Sequence, residues 1–179
     1  RDAKAKNLSI DLDSLQAKCS CASAIARLLV KTPADQETAG AAALLADLGV
    51  LVLAMFQPRE WAELAGAGEI PSAAREQEVF GCTHARLSAY LLALWGLPTP
   101  LIHAVLKHHD PLPAPSETID LDTSVAIAYL MVETGEIPAA WADVTVFKNK
   151  ADELTTLLGT LGKKPASESR TSSSALPID

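Results

Sequence analysis

Aromatic side chains make up only 4% of this 179-residue chain, so Leu, Ala and Val must do most of the packing. Basic residues are also scarce. Fifteen Lys and Arg stand against 22 Asp and Glu, for a net charge of −7 and a pI near 5.1. Phosphate backbones are bound by clustered Lys and Arg, so nucleic acid is excluded as the main partner. Both signs of charge are scattered, and neither an acidic tail nor a basic arm stands out. There are three cysteines, Cys19, Cys21 and Cys82. Their odd number, and the lack of a second pair at zinc-finger spacing, point to reduced, partly buried thiols in a cytosolic protein. Gly66-x-Gly68 lacks the rest of any phosphate-loop fingerprint, and there is no Gly-x-Ser-x-Gly elbow. Strand alternation is missing as well; Val144–Phe147 is β-like but too short to imply a sheet. Arg1 opens no leader-like pattern, and the chain reads as a piece cut from something longer.

Apolar residues are plentiful, at 49%, and the mean hydropathy is +0.17. The length suffices for one domain with a real core, and this apolar excess suggests a surface covered by something else. Residues 39–56 are almost all apolar and long enough to test as a membrane span. Asp47 sits in the middle, where a charge costs about 2.5–3.5 kcal/mol on insertion scales. Gly49 weakens the span further, and no Trp or Tyr belt flanks it. The segment therefore reads as one buried central helix of an α-helical domain, with no membrane as partner.

Clear punctuation separates the other helices. Leu15, Cys19, Ala22, Ala26 and Leu29 share one helical face. Thr32-Pro33-Ala34-Asp35 is a helix start. A short helix over 59–65 is expected to close at Gly66 and Gly68. Residues 71–80 form a charged helix stopped by Gly81, with Glu76 and Glu78 near its end. Thr83 caps a helix over 84–95 whose apolar stripe is Leu87, Leu91, Leu94 and Trp95, with Trp95 and Pro98 fixing its end by packing. Thr99-Pro100 opens a helix carrying His103, His108 and His109. Pro111, Pro113 and Pro115 mark a loop. Residues 121–133 and 148–161 supply the last helices. The Ser-rich run from Lys163 reads as a disordered tail. The expected division is a lead-in over 1–9, a helical domain over 10–162 and a tail over 163–179. The fold class is all-α, with no internal repeat.

Certain motifs then fall in a telling order. Leu44-Leu45-Ala46-Asp47-Leu48-Gly49 comes first. Glu78 follows, ahead of Phe80-Gly81 and His84-Ala85, then Leu94-Trp95-Gly96-Leu97-Pro98, then His108-His109-x-Pro111. This series resembles the HDOD family, regulatory relatives of the HD-superfamily phosphohydrolases found in bacterial signalling proteins beside receiver, EAL or GGDEF domains. The resemblance covers roughly residues 10 to 160. It implies an HD-like helical bundle from which the family's N-terminal helical half is missing, which would leave an apolar flank exposed.

By the same resemblance, Asp47, His84, His108 and His109 stand where metal ligands could sit. Three further ligand positions are degenerate: Lys18 at the first His, Ala46 at the His of the His-Asp pair, and Tyr129 at the late Asp. An intact site uses two metals and about six protein ligands to deprotonate a water for attack on phosphorus. Ligands of this type suit Mn, Fe, Zn or Mg. Four candidates leave room for one residual divalent metal and argue against catalysis. The residues alone offer simpler roles. Asp47 is a buried carboxylate needing a partner, with Lys18 as one candidate. His84 orients a turn. Neighbours His108 and His109 lie about 100° apart on a helix, so only one can point fully at a shared centre. His103 is a surface or packing residue.

The resulting expectation is a cytoplasmic, non-catalytic signalling module without catalytic residues, acting through protein partners and free to form homo-oligomers. One alternative is a metal-dependent phosphohydrolase acting on a nucleotide or cyclic dinucleotide. Another is a nucleotide-sensing domain, although Arg75 and Arg86 are its only nearby cations.

Overall fold

Thr32 accepts a hydrogen bond from the Asp35 N–H through its side chain, and Pro33 follows at the first helical position. This satisfies an otherwise orphaned donor and pre-sets φ, and starts the helix on which the molecule is organised. The computed structural model describes residues 10–65 and 70–161. Within them run α1 (Leu12–Leu29), α2 (Pro33–Leu45), α3 (Leu48–Phe56), α4 (Pro58–Ala65), α5 (Ala73–Phe80), α6 (His84–Leu94), α7 (Thr99–Leu106), α8 (Leu121–Thr134) and α9 (Thr145–Leu158), with a 3-10 turn at Ala139–Trp141 before α9. No strand occurs among the described residues; Thr145–Phe147, part of the β-like stretch, is the first turn of α9. The expected lead-in, the Gly66 and Gly68 stop and the Ser-rich tail lie outside the described residues.

Helix α2 packs against α1, α7 and α8, while α3 packs against α6 and α4. The inward face of α2 is made of small residues, Ala39, Gly40, Ala42 and Ala43. Ile25, Leu29, Leu92, Val105, Ile127, Met131, Trp141, Phe147 and Leu154 complete the main core. A second, smaller cluster gathers Leu15, Cys19, Val50, Leu53, Ala54, Trp61 and Ala65.

The single central helix expected over 39–56 is two helices. The chain leaves helical geometry at Asp47, with φ −90° and ψ 13°, and α3 sets off towards the smaller cluster. The break persists because Ser88 on α6 completes the interrupted hydrogen bonds. Its hydroxyl donates to the Ala46 carbonyl at 2.6 Å and accepts from the Gly49 N–H at 2.7 Å. Ser88→Ala leaves both buried backbone groups unpaired, at an expected cost of about 1–3 kcal/mol. Urea unfolding checks this, and a loss below ~0.5 kcal/mol would show that the junction does not depend on the hydroxyl.

The stripe expected on α6 is also displaced. The buried residues are His84, Ala85, Ser88, Ala89 and Leu92, whereas Tyr90, Leu94 and Trp95 are more than 60% exposed. The small face turns inward because α3 comes so close. Trp95 therefore does not secure the helix end. Gly96, at φ 74°, does so with the Leu97 N–H donating back to Leu92, the left-handed C-terminal turn that glycine favours.

Candidate functional site

Asp47 occupies the turn between α2 and α3, with only 3% of its surface exposed. Gly49, two residues on, lets this turn lie against the start of α6. A Cβ there would stand 2.2 Å from the His84 carbonyl oxygen. The close approach brings His84 Nε2 to 3.5 Å from Asp47 Oδ1. His108 Nε2 stands at the same distance from that oxygen. His84 Nε2 is 3.3 Å from His108 Nε2 and 3.1 Å from His109 Nε2. The ligand atoms of Asp47, His84, His108 and His109 all lie within 4.8 Å of one another.

Both neighbouring histidines reach this centre, contrary to the expectation from helical spacing. The reason is that α7 ends at Leu106. His108 and His109 stand in the turn that follows, where consecutive side chains are not held 100° apart. His108 is buried, whereas His109 sits at the rim with a side chain 29% exposed. A cavity of about 220 Å³, lined by His108, His109, Pro111, Leu130 and Glu133 among others, opens beside it. His103 lies outside the group, exposed and 3.0 Å from Asp122.

Each histidine is anchored from behind. Glu76, fully buried on α5, accepts from the His84 backbone N–H at 2.8 Å and holds His84 Nδ1 at 2.8 Å. His108 Nδ1 lies 2.7 Å from the Val105 carbonyl. His109 Nδ1 is 3.4 Å from Glu133. The sequence assigns Glu76 no role beyond a place in the charged helix and puts Glu78 in the motif series; Glu78 is a surface partner of Arg75. The available signal was that Gly81, left-handed at φ 73°, turns the chain so that His84 folds back over the helix carrying Glu76.

On the other side of Asp47 stand Cys19 and Tyr129. Cys19 Sγ is 3.8 Å from Asp47 Oδ2 and 3.8 Å from the Tyr129 hydroxyl, which donates to the Ala43 carbonyl at 3.0 Å. The Tyr129 ring centre lies 4.5 Å from that of His108. Lys18, the proposed first-His position, adjoins Cys19 in sequence, and its charge acts on Glu133. Ala46 is fully buried and contributes its carbonyl to Ser88.

These surroundings set the ionisation. Burial alone would raise the Asp47 carboxyl, but His108, His84 and His109 outweigh it and hold the group below its ordinary range. Burial likewise opposes charge on His84, yet Glu76 and then Asp47 raise it above the usual imidazole value. Burial and then the Asp47 charge push the Cys19 thiol up to about 12, and the same causes raise Tyr129 well above an ordinary phenol. The Cys19–Tyr129 side is therefore uncharged and poor in ligands.

Burial, then His108 and His84, lower His109 from 6.5 to about 3. Between those values the unfolded chain holds a proton that the folded chain lacks, so stability rises with pH. The His109 contribution is complete above 6.5 and is lost as pH falls towards 3. Urea unfolding of metal-free protein across this window should show a shallower acid loss in His109→Gln. An unchanged slope would remove His109 as its source.

The profile of the HDOD domain family matches residues 3–111. The chain belongs to the HDOD family. HDOD domains are regarded as regulatory, degenerate HD relatives, and membership supports a signalling-related role. The matched stretch includes Asp47, His84, His108 and His109 and stops short of Tyr129. The fold is also similar to a crystal structure of a Marinobacter aquaeolei VT8 protein assigned to signal transduction, with a TM-score of 0.59 and 18% identity over 85% of this chain. The HDOD chain spans 36% of that protein's length. No functionally curated protein matches it.

Proposed function

We propose that this HDOD domain is a non-catalytic signal-transduction module that works in the cytoplasm by protein–protein contact. The observation that carries the reading is the composition of the centre around Asp47. One side offers three imidazoles; the other offers a thiol and a phenol that stay protonated. Ala46 adds no side-chain ligand. Two-metal phosphoester hydrolysis needs ligands for both ions, and this set supports one.

The contact surface is read from α3 and α6. Met55, Phe56, Tyr90, Leu94 and Trp95 are each more than 60% exposed, on two helices that pack against each other, and large exposed apolar side chains are what a partner would cover. Partners of the signalling type, such as receiver, EAL or GGDEF domains, fit this reading, as does a second copy of the chain. A photo-crosslinking amino acid at Tyr90, introduced in cells that carry the protein, tests it. The expected result is a discrete crosslink to a signalling protein or second copy, lost in Phe56→Ser/Trp95→Ser and retained in His103→Ala. A crosslink indifferent to the double substitution, or none at all, contradicts it.

A further inference from the structure

We infer that Asp47, His84, His108 and His109 bind a single first-row transition ion in a four-coordinate site, with His109 as the ligand on the solvent side. This inference deepens the non-catalytic reading, since both rest on the ligand count of the same centre. It rests first on how the imidazoles are anchored. The Val105 carbonyl can only accept a hydrogen bond, so His108 Nδ1 at 2.7 Å carries a proton, and in the neutral ring Nε2 presents a lone pair. Glu76 imposes the same arrangement on neutral His84, with Nδ1 2.8 Å from the carboxylate. Glu133 lies on the Nδ1 side of His109. Three lone-pair nitrogens then face one another at the centre, and one N–H from a protonated ring could serve only one neighbour at a time. An outer acceptor that fixes the tautomer and aims Nε2 inward is the usual surrounding of a metal-bound histidine.

The second ground is an orphaned atom. Asp47 Oδ1 is buried and has no hydrogen-bond partner. Its nearest cationic candidates are the two Nε2 atoms at 3.5 Å, too long for a good hydrogen bond. A buried carboxylate oxygen left in this way is costly unless a cation completes it.

The third ground is the spacing. Bonds of about 2.0–2.1 Å to nitrogen and oxygen give a tetrahedron with edges of about 3.3–3.4 Å. Four of the six edges here are 3.3 and 3.1 Å between imidazoles and 3.5 Å from the carboxylate to each of two imidazoles; the other two, from His109 to Asp47 and to His108, lie within 4.8 Å. Imidazole and carboxylate donors favour Zn(II), Fe(II), Co(II) or Ni(II) over Mg(II) or Ca(II). Three of the ligating residues are interior, and the cavity beside His109 is the way in. A site closed by four protein ligands holds structure; a hydrolytic zinc keeps a position for water.

The test uses the full chain, stripped with a chelator and titrated with Co(II) under anaerobic conditions, then with Zn(II). One Co(II) per chain is expected, with the intense visible absorption of four-coordinate cobalt and no thiolate-to-cobalt band, the spectrum persisting in Cys19→Ser. One equivalent of Zn(II) should displace it. Glu76→Gln should weaken affinity about 10–100-fold and His109→Ala by more, with the visible band collapsing towards that of higher coordination. His103→Ala should change nothing. His109 is at the rim, so its variant decides the matter even where His84→Ala does not fold. Absence of saturable binding, two ions per chain, a thiolate band, or a spectrum unaltered in folded His109→Ala overturns the inference.

Discussion

Glu76→Ala is expected to lose about 3–5 kcal/mol of stability, the cost of removing one partner from a buried charged pair. At about 2–4 °C per kcal/mol for a chain of this size, the melting point falls by roughly 10 °C. The carboxylate is fully buried and takes hydrogen bonds from both the backbone and the ring of His84. Its removal leaves two donors without an acceptor in a place water does not reach. It also removes the charge that raises His84 above its ordinary pKa. Glu76→Gln keeps one acceptor and should lose less than half as much. Glu78→Ala, in the same helix but on the surface, should stay within ~0.5 kcal/mol of the native protein. Differential scanning calorimetry of the three variants checks the order; equal losses for Glu76→Ala and Glu78→Ala would refute the assignment.

Gly49→Ala should also be damaging, for a different reason. The added methyl would meet the His84 carbonyl oxygen at 2.2 Å and its α-carbon at 2.9 Å. Both are backbone atoms at the start of a helix, so neither can rotate away. Either α3 or α6 must move, which strains a close-packed contact by about 1–3 kcal/mol or more. The movement would carry His84 away from Asp47 and pull the Gly49 N–H from Ser88. The expected signature is therefore lost stability together with a displaced His84 ring resonance in the NMR spectrum. Stability within ~0.5 kcal/mol of native, with the His84 resonance unmoved, would mean that the close approach is not required. Gly40→Ala is a useful contrast, because there the atoms nearest the new methyl belong to the side chain of Arg27 and not to backbone.

Local signals made much of this fold legible. Thr32 and Thr83 cap their helices through their side chains, and Gly81 ends α5 in the left-handed region. Such features depend on a few consecutive residues. The break at Asp47 was hidden because the apolar run continues through it. Its support comes from Ser88, 42 residues from Ala46, and no periodicity reports that. The convergence of His108 and His109 was hidden by an assumed continuation of α7 past Leu106. Glu76 was passed over because a carboxylate in a charged helix ordinarily faces water, and only the turn at Gly81 brings His84 onto it. Helical periodicity puts Cys19 on the packed face of α1 but does not place it beside Asp47; its neighbour Lys18 is the partner the sequence suggests, whereas the thiol is what lies beside that carboxylate.

These details decide what the centre can do. His84, fixed by Glu76, and His108, fixed by Val105, stand on one side of Asp47. The neutral pair Cys19 and Tyr129 stands on the other. Hydrolysis of a phosphoester by two ions would need charge and ligands on both sides. The measurement that bears most directly on a regulatory reading is therefore turnover. Protein loaded in turn with Mn(II), Fe(II) and Zn(II) is assayed against bis(p-nitrophenyl) phosphate, nucleotides and cyclic dinucleotides, beside folded Asp47→Asn and His84→Ala variants. No hydrolysis above that of the variants is expected on the regulatory reading. Turnover in the loaded protein that disappears in both variants would contradict it and make this centre an active site.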